Sequence, residues 1–291
     1  MSSVSWQDVT MNFHGLSWHG YRVSANVSLL FSEVPYFERF AAAAAAGFTA
    51  VETWWPFPTA APSRTEQEVL VRAIEEAGLV LTGMNAFAGD MSAGERGVAC
   101  LPARAGELEN SLTALRWIAE RTGCRSFNLL HGQVPDGAGV TARSAAVLAY
   151  RRAAEALADL SDDPGTVLVE PLARGLNGTY PLETADDALA LIGEVGAPNV
   201  TLLLDTFHLA SNGEDLPDVI THAADSIGHV QLADAPNRGE PGSGTVDFTA
   251  VGTALDAAGY GGTVAAEYKP TEETHSTLAW LSPPAPSMPL A

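Results

Sequence analysis

The sequence predicts an α/β fold, a single (β/α)8 TIM barrel, and three observations carry that expectation. Eight strand-then-helix units can be laid out over roughly 260 residues, the count and length of such a barrel. The stretches that read as strands are unbroken apolar runs rather than alternating ones, the pattern of strands buried on both faces of a parallel sheet. No Gly-rich turn follows the first strand, so the competing doubly wound layout lacks its dinucleotide fingerprint and no nucleotide cofactor is expected. No low-complexity linker divides the 291 residues. One domain is therefore expected over residues 21–280, after an N-terminal extension at 1–20 and before a Pro-rich C-terminal tail at 281–291.

Taken in order, residues 2–20 read as irregular and residues 21–27 as the first strand. Ser32-Glu33-Val34-Pro35 opens a helix with a capping side chain and a first-turn proline, and Gly47 ends it. The second strand, 48–52, stops at Glu52 and is followed by Trp54-Trp55-Pro56. A helix over 65–77 leads to the third strand, 79–85. Residues 86–104 form the one long irregular excursion, rich in glycine, a length that usually marks a lid or binding loop. A helix at 107–122 precedes the fourth strand, 125–131, and a helix at 141–160 precedes the fifth, 166–170, which Pro171 terminates. Thr184 caps a helix to about residue 195. Pro198-Asn199 then introduces the sixth strand, Val200-Thr201-Leu202-Leu203-Leu204-Asp205. A helix near 215–224, a strand at 227–231, a Gly- and Pro-rich loop to Gly244, a helix at 248–258 and a strand at 262–267 complete the barrel. A last helix is expected over 272–280.

Composition narrows the function classes. With 35 acidic and 15 basic residues the formal charge is −20, which argues against nucleic acid, whose phosphates need clustered cations. Lys269 is the sole lysine, so every other fixed cation is an arginine. Cys100 and Cys124 have no metal-binding spacing and suggest a reducing compartment, with a disulfide between them left open. The first ten residues have no signal-peptide pattern, and no uncharged run reaches membrane length. A cytoplasmic protein with no membrane partner is expected, compatible with a homo-oligomer.

Chemistry concentrates where strands five to eight end: Glu170, Asp205, Gln231 and Glu267. A charge at the end of an apolar strand is costly unless a metal or partner compensates it. In a barrel these ends meet at one face, the face that carries active sites. A lone carboxylate there is usually a helix cap or a surface group. Four polar residues on adjacent strands form an all-oxygen set suited to a hard divalent cation, Mg2+ or Mn2+.

The segments Val23-Ser24-Ala25-Asn26-Val27-Ser28-Leu29-Leu30-Phe31, Leu168-Val169-Glu170-Pro171-Leu172, Leu204-Asp205-Thr206-Phe207-His208, His229-Val230-Gln231-Leu232-Ala233-Asp234 and Glu267-Tyr268-Lys269-Pro270 resemble the hydroxypyruvate isomerase family of the xylose isomerase-like barrel superfamily. The resemblance spans roughly residues 21–270. It implies Glu170, Asp205, Gln231 and Glu267 as metal ligands, with Glu170 and Glu267 as the acid–base pair. It further implies a metal-dependent exchange between hydroxypyruvate and tartronate semialdehyde through an enediolate. The related ketose 3-epimerases usually carry histidine at the seventh-strand ligand position, so Gln231 favours the hydroxypyruvate isomerase branch.

Around this core, His208 is a candidate to hydrogen-bond a substrate oxygen, against a capping role. Lys269 shares strand parity with Glu267 and is a candidate for a substrate carboxylate, against a partner for the many acids. Arg238 and Glu240 in the loop after strand seven are further substrate candidates, against a solvated loop. Asn26, Glu52, Asn85 and His131 are expected to line the opposite half of the barrel mouth, with Trp54 and Trp55 as its wall. Competing readings on the same barrel are a sugar, oxo-tetronate or inosose isomerase, epimerase or dehydratase, a metal-dependent DNA-repair endonuclease, and a non-catalytic sugar-binding barrel. The charge argues against the endonuclease, and intact Glu170 and Glu267 argue against the binding barrel.

Overall fold

The computed structural model describes residues 15–160 and 163–282. Eight parallel strands close on themselves: β1 Tyr21–Asn26, β2 Ala50–Thr53, β3 Val80–Asn85, β4 Ser126–Asn128, β5 Thr166–Val169, β6 Val200–Asp205, β7 Ile227–Leu232 and β8 Val264–Ala266. Each strand pairs with the next in chain order, and β8 returns to β1 with Val264 opposite Val23. Every crossover between them carries a helix: α1 Arg39–Ala45, α2 Arg64–Glu76, α3 Ala105–Thr122, α4 Gly139–Leu157, α5 Ala185–Val195, α6 Thr206–Ser211 with α7 Leu216–His222, and α8 Phe248–Ala257. The expected (β/α)8 barrel is the observed one.

The physical reasons for the elements are local and legible. Leu202, Leu203 and Leu204 are wholly buried, so both faces of β6 are covered, as an unbroken apolar run requires. Ser63 and Glu66 form a reciprocal capping box at α2, and Thr184 with Asp187 forms another at α5. Gly123 and Gly196 end α3 and α5 in the left-handed conformation that glycine adopts without a side-chain clash. Cys100 and Cys124 are both buried as free thiols.

Four expectations are corrected. The helix expected from residue 32 starts later, because Pro35 is extended (φ −53°, ψ 146°) and only a 3-10 turn, Tyr36–Glu38, precedes α1. The fourth strand ends at Asn128 rather than at residue 131, since His131 pairs instead with Gly97 of the long loop. The last helix expected over 272–280 is only a 3-10 turn, Thr274–Thr277. Its threonines serve tertiary contacts: Thr274 Oγ1 accepts from Phe31 N at 2.7 Å, and Thr277 Oγ1 meets Tyr268 Oη at 2.9 Å. Within the expected extension, Ser17–Trp18 is a short strand antiparallel to Tyr21 and Arg22, with Ser282 paired against Ser17. The rest of that extension, residues 1–14, and residues 283–291 of the expected tail lie outside the described residues.

Gly228, near the start of β7, shows how tightly the barrel interior is packed. A Cβ there would meet Thr201 Oγ1 at 2.0 Å and Leu168 Cδ2 at 3.1 Å. Gly228→Ala is expected to destabilise the protein by about 1–3 kcal/mol, the usual cost of overpacking. Thermal denaturation checks this, and an unchanged midpoint would contradict so close an approach.

Candidate active site

At or within one residue of its C-terminal end, each barrel strand carries a buried polar residue: Asn26, Glu52, Asn85, Asn128, Glu170, Asp205, Gln231 and Glu267. Parallel register aligns them, with Asn26 opposite Glu52, Asn85 opposite Asn128, and Asp205 opposite Gln231. The fourth strand therefore supplies Asn128, not His131. Burying this many polar groups is tolerable only if they satisfy one another or a ligand.

Most of them do satisfy one another. Asp205 divides its carboxylate between two tasks: Oδ1 caps α6, accepting from Phe207 N at 2.8 Å and His208 N at 3.2 Å, while Oδ2 accepts from Arg238 Nη2 at 3.1 Å. The same guanidinium nitrogen donates to Glu267 Oε2 at 2.6 Å. Glu267 Oε1 accepts from Asn26 Nδ2 at 2.9 Å and from Trp54 Nε1. Glu170 Oε2 accepts from Asn128 Nδ2 at 2.6 Å. Below these lies Glu52, which accepts from Asn26 Nδ2 at 2.8 Å and Gln231 Nε2 at 2.7 Å and contacts His229 Nε2 at 2.7 Å. Because a carboxylate only accepts, Glu52 dictates which way the Gln231 amide faces. Gln231 Oε1 is left buried with no partner among the described residues.

The loop after β7 is shaped to deliver Arg238. Asp234 gathers the amides of Gly242, Gly244 and Val246 onto its two oxygens. Arg238 itself has φ +59°, uncommon for a residue with a side chain. Its carbonyl accepts from Lys269 N at 2.7 Å, which ties the loop to the segment after β8.

Charge in the rim is under-compensated. Burial, reinforced by Asp205, pushes the Glu170 carboxyl up to about 8. Burial also raises Glu267 well above its ordinary range; Arg238 pulls the other way, while Asp205 and Glu170 add to the rise. Burial pushes His208 down to about 3, so its ring is neutral. His208 Nδ1 accepts from Ala173 N at 2.9 Å, which places the ring proton on Nε2. Nε2 lies 3.6 Å from Glu170 Oε1 and 3.7 Å from Asp205 Oδ2. Ligand atoms of Glu170, Asp205 and His208 fall within 4.8 Å of one another, the spacing of a metal site. The protonated Nε2 makes His208 a donor there rather than a metal ligand. Glu170, Asp205, Glu267 and the unpartnered Gln231 Oε1 are instead the oxygens that suit a hard divalent cation.

Glu170 and Glu267 face a cavity of about 350 Å³, lined also by Trp54, Arg96, His208 and Arg238, while Asp205 and Gln231 lie buried behind that lining. Lys269 also lines it. Two of the substrate candidates do not. His131 is buried beside Tyr180, whose hydroxyl accepts from its backbone N–H. Glu240 spends its carboxylate on Thr271, taking the hydroxyl at 2.6 Å and the amide at 3.2 Å. Trp54 lines the cavity as expected, whereas Trp55 packs on Phe57 and Phe87. Arg96 was not a sequence candidate; its only signal was its place in the long Gly-rich loop. A separate apolar cavity of about 440 Å³ lies between α3 and α4, and none of the strand-end residues lines it.

The raised Glu170 carboxyl makes a signed prediction. Its neutral form is favoured by the fold, so that stabilisation is complete below the ordinary value of 4.5 and is lost as pH rises through about 8. In the presence of a chelator, Glu170→Gln should therefore gain thermal stability relative to the unsubstituted protein as pH goes from 5 to about 8.5. Thermal midpoints across that window test it, and a difference that stays constant or reverses would refute the raised carboxyl.

Comparison with known proteins places this architecture. Residues 40–283 match the family model described as xylose isomerase-like TIM barrel. The hydroxypyruvate isomerase of Escherichia coli (strain K12) is 34% identical over 262 residues, covering 90% of this chain and 98% of that protein. The 2-oxo-tetronate isomerase of Cupriavidus necator is 34% identical over 266 residues, covering 90% of this chain and 98% of its own. The crystal structure of an AP endonuclease, family 2, from Brucella melitensis aligns with a TM-score of 0.81 at 32% identity, over 89% of this chain and 97% of that one. The chain thus belongs to the hydroxypyruvate isomerase family of xylose isomerase-like TIM barrels.

Proposed function

We propose that the protein is a divalent-cation-dependent aldose–ketose isomerase that interconverts hydroxypyruvate and tartronate semialdehyde. The observation that carries this reading is the pair Glu170 and Glu267, both buried, both with raised carboxyls, flanking Asp205 and Gln231 on the barrel rim. Burial raises both carboxyls, that of Glu170 to about 8, which suits groups that must take up and return a proton. The reaction takes a proton from one carbon and returns one to its neighbour, while carbonyl and hydroxyl exchange places. Two proton-handling groups on opposite sides of the substrate meet that requirement.

The chain supplies the rest of the environment. Glu170, Asp205, Gln231 Oε1 and Glu267 would hold Mg2+ or Mn2+, which when bound supplies positive charge to the two adjacent substrate oxygens as the proton leaves. Asn128 orients Glu170; Asn26, Trp54 and Arg238 orient Glu267. Arg238 and the His208 Nε2–H also stand ready as donors to substrate oxygens, consistent with the substrate-binding roles read from the sequence. Trp54 covers the Glu267 side of the cavity and keeps water from that carboxylate.

The name of the Cupriavidus relative favours a second substrate, a four-carbon 2-oxo acid, handled by the same residues. Comparing kcat/KM for hydroxypyruvate and 2-oxo-tetronate decides between them.

Glu170→Gln and Glu267→Gln should each lower kcat on hydroxypyruvate by about 10²- to 10⁴-fold, the usual worth of a positioned acid or base. Full activity in either variant would remove that residue from proton transfer. A chelator should abolish turnover of the unsubstituted enzyme, and added Mg2+ or Mn2+ should restore it; turnover that survives chelation would rule out the cation.

A further inference from the structure

The cavity has opposite electrostatic ends. Its inner end is the buried acid rim, and toward solvent stand the half-buried Arg96 and the exposed Lys269. Both cations also line the adjoining cavity of about 430 Å³, beside Asn177, His208 and Arg238. An anionic substrate entering this site approaches several buried carboxylates, so it needs positive charge where its own charge comes to rest.

Arg96 is pre-oriented for that task. Its Nε–H donates to Asn177 Oδ1 at 3.0 Å, and Nη1 donates to the carbonyls of Met91 at 3.1 Å and Glu95 at 2.7 Å. Nη2 makes no hydrogen bond among the described residues. Asn177 is itself buried and anchored through Nδ2 to Ala173 O at 2.9 Å. Gln133 Nε2 clips the two segments together, donating to Gly94 O and to Asn177 O, each at 3.1 Å. Gly97 follows at φ +105°, where a Cβ would lie 2.2 Å from Leu130 O, so the turn beside Arg96 is pressed against the segment just after the fourth strand. An exposed arginine on a mobile loop would have none of these restraints.

The charge of Arg96 is not spent within the protein. Among the described residues neither Arg96 nor Lys269 forms a salt bridge, in a chain with 35 acidic residues. The neighbouring Glu95 carboxylate is taken by Arg104 at 2.5 Å. With Nε and both Nη1 protons committed, Nη2 is the nitrogen left to give a carboxylate a charge-assisted hydrogen bond.

We propose that Arg96, assisted by Lys269, receives the substrate carboxylate and so selects hydroxy-keto acids over neutral sugars of the same length. This rests on the isomerase reading above and extends it to a residue that the rim chemistry does not use. The carboxylate sits at the outer, cationic end, and the carbon pair that exchanges its proton lies at the acid rim between Glu170 and Glu267.

The test compares the full chain with its Arg96→Gln, Arg96→Lys and Lys269→Gln variants in the presence of Mg2+. Kinetics are followed on hydroxypyruvate and on dihydroxyacetone, which has a hydroxymethyl group in place of the carboxylate. Binding of D-glycerate, a hydroxy acid with no carbonyl to isomerise, is measured by calorimetry. Arg96→Gln should raise KM for hydroxypyruvate about 10- to 100-fold with kcat within about threefold, the signature of lost ground-state binding. The kcat/KM ratio of hydroxypyruvate to dihydroxyacetone should fall by the same factor, and so should glycerate affinity. Arg96→Lys should recover part of the loss, and Lys269→Gln should lose about threefold. An unchanged KM and glycerate affinity in Arg96→Gln, or an equal loss on both substrates, would overturn the assignment. Absence of hydroxypyruvate turnover in the unsubstituted enzyme would refute the isomerase reading instead, and glycerate binding would still judge Arg96.

Discussion

Four carboxylates, those of Glu52, Glu170, Asp205 and Glu267, are buried at one end of the barrel, and among the described residues a single guanidinium, that of Arg238, pairs with two of them, Asp205 and Glu267. Everything else at the rim answers to that imbalance. Asn26 and Asn128 spend amide protons on it, Asp205 turns one oxygen to the amides that open α6, and His229 takes the far side of Glu52. What remains uncompensated appears as raised carboxyls on Glu170 and Glu267. A proton or a cation would supply the missing charge, and the buried, unpartnered oxygen of Gln231 favours the cation. The same imbalance that costs stability is what poises two carboxyls to exchange protons with a substrate.

Much of this was legible in the chain, because one physical rule wrote it. A strand buried on both faces must be apolar until it reaches the rim, so the first charged residue after Leu202-Leu203-Leu204 or Val167-Leu168-Val169 marks the C-terminal end of the barrel. That rule located Glu170, Asp205, Gln231 and Glu267 and the barrel itself. It failed at the fourth strand, where Leu129 and Leu130 continue the apolar pattern beyond the ladder and pointed to His131 instead of Asn128. It was also silent on α6, a six-residue helix too short for periodicity to reveal, although Asp205 was recognised and turns out to cap it. Even so, the cap and site readings of Asp205 are not rivals, since each uses a different oxygen.

What stayed hidden depends on contacts between distant parts of the chain. Glu52 was visible as a strand-end residue, but its hold on Gln231 and His229 spans nearly 180 positions. Arg238 was one of two charged candidates in its loop until Asp234 and a left-handed backbone showed how it is aimed inward. Glu240, two residues on, faces Thr271 instead, and nothing in the local sequence distinguishes the two. The long loop at 86–104 was visible as an irregular excursion, yet only its attachment to Asn177 and Gln133 singles out Arg96.

Central to the account is a cation held by rim oxygens, with Glu52 turning the Gln231 carbonyl toward it. The most direct test is a crystal of the protein soaked in Mn2+ and measured at the manganese absorption edge. One anomalous peak is expected in contact with Glu170, Asp205, Glu267 and Gln231 Oε1, with the Gln231 amide nitrogen still on Glu52. A rim without a peak, or a peak that leaves Gln231 Oε1 unengaged, would contradict it.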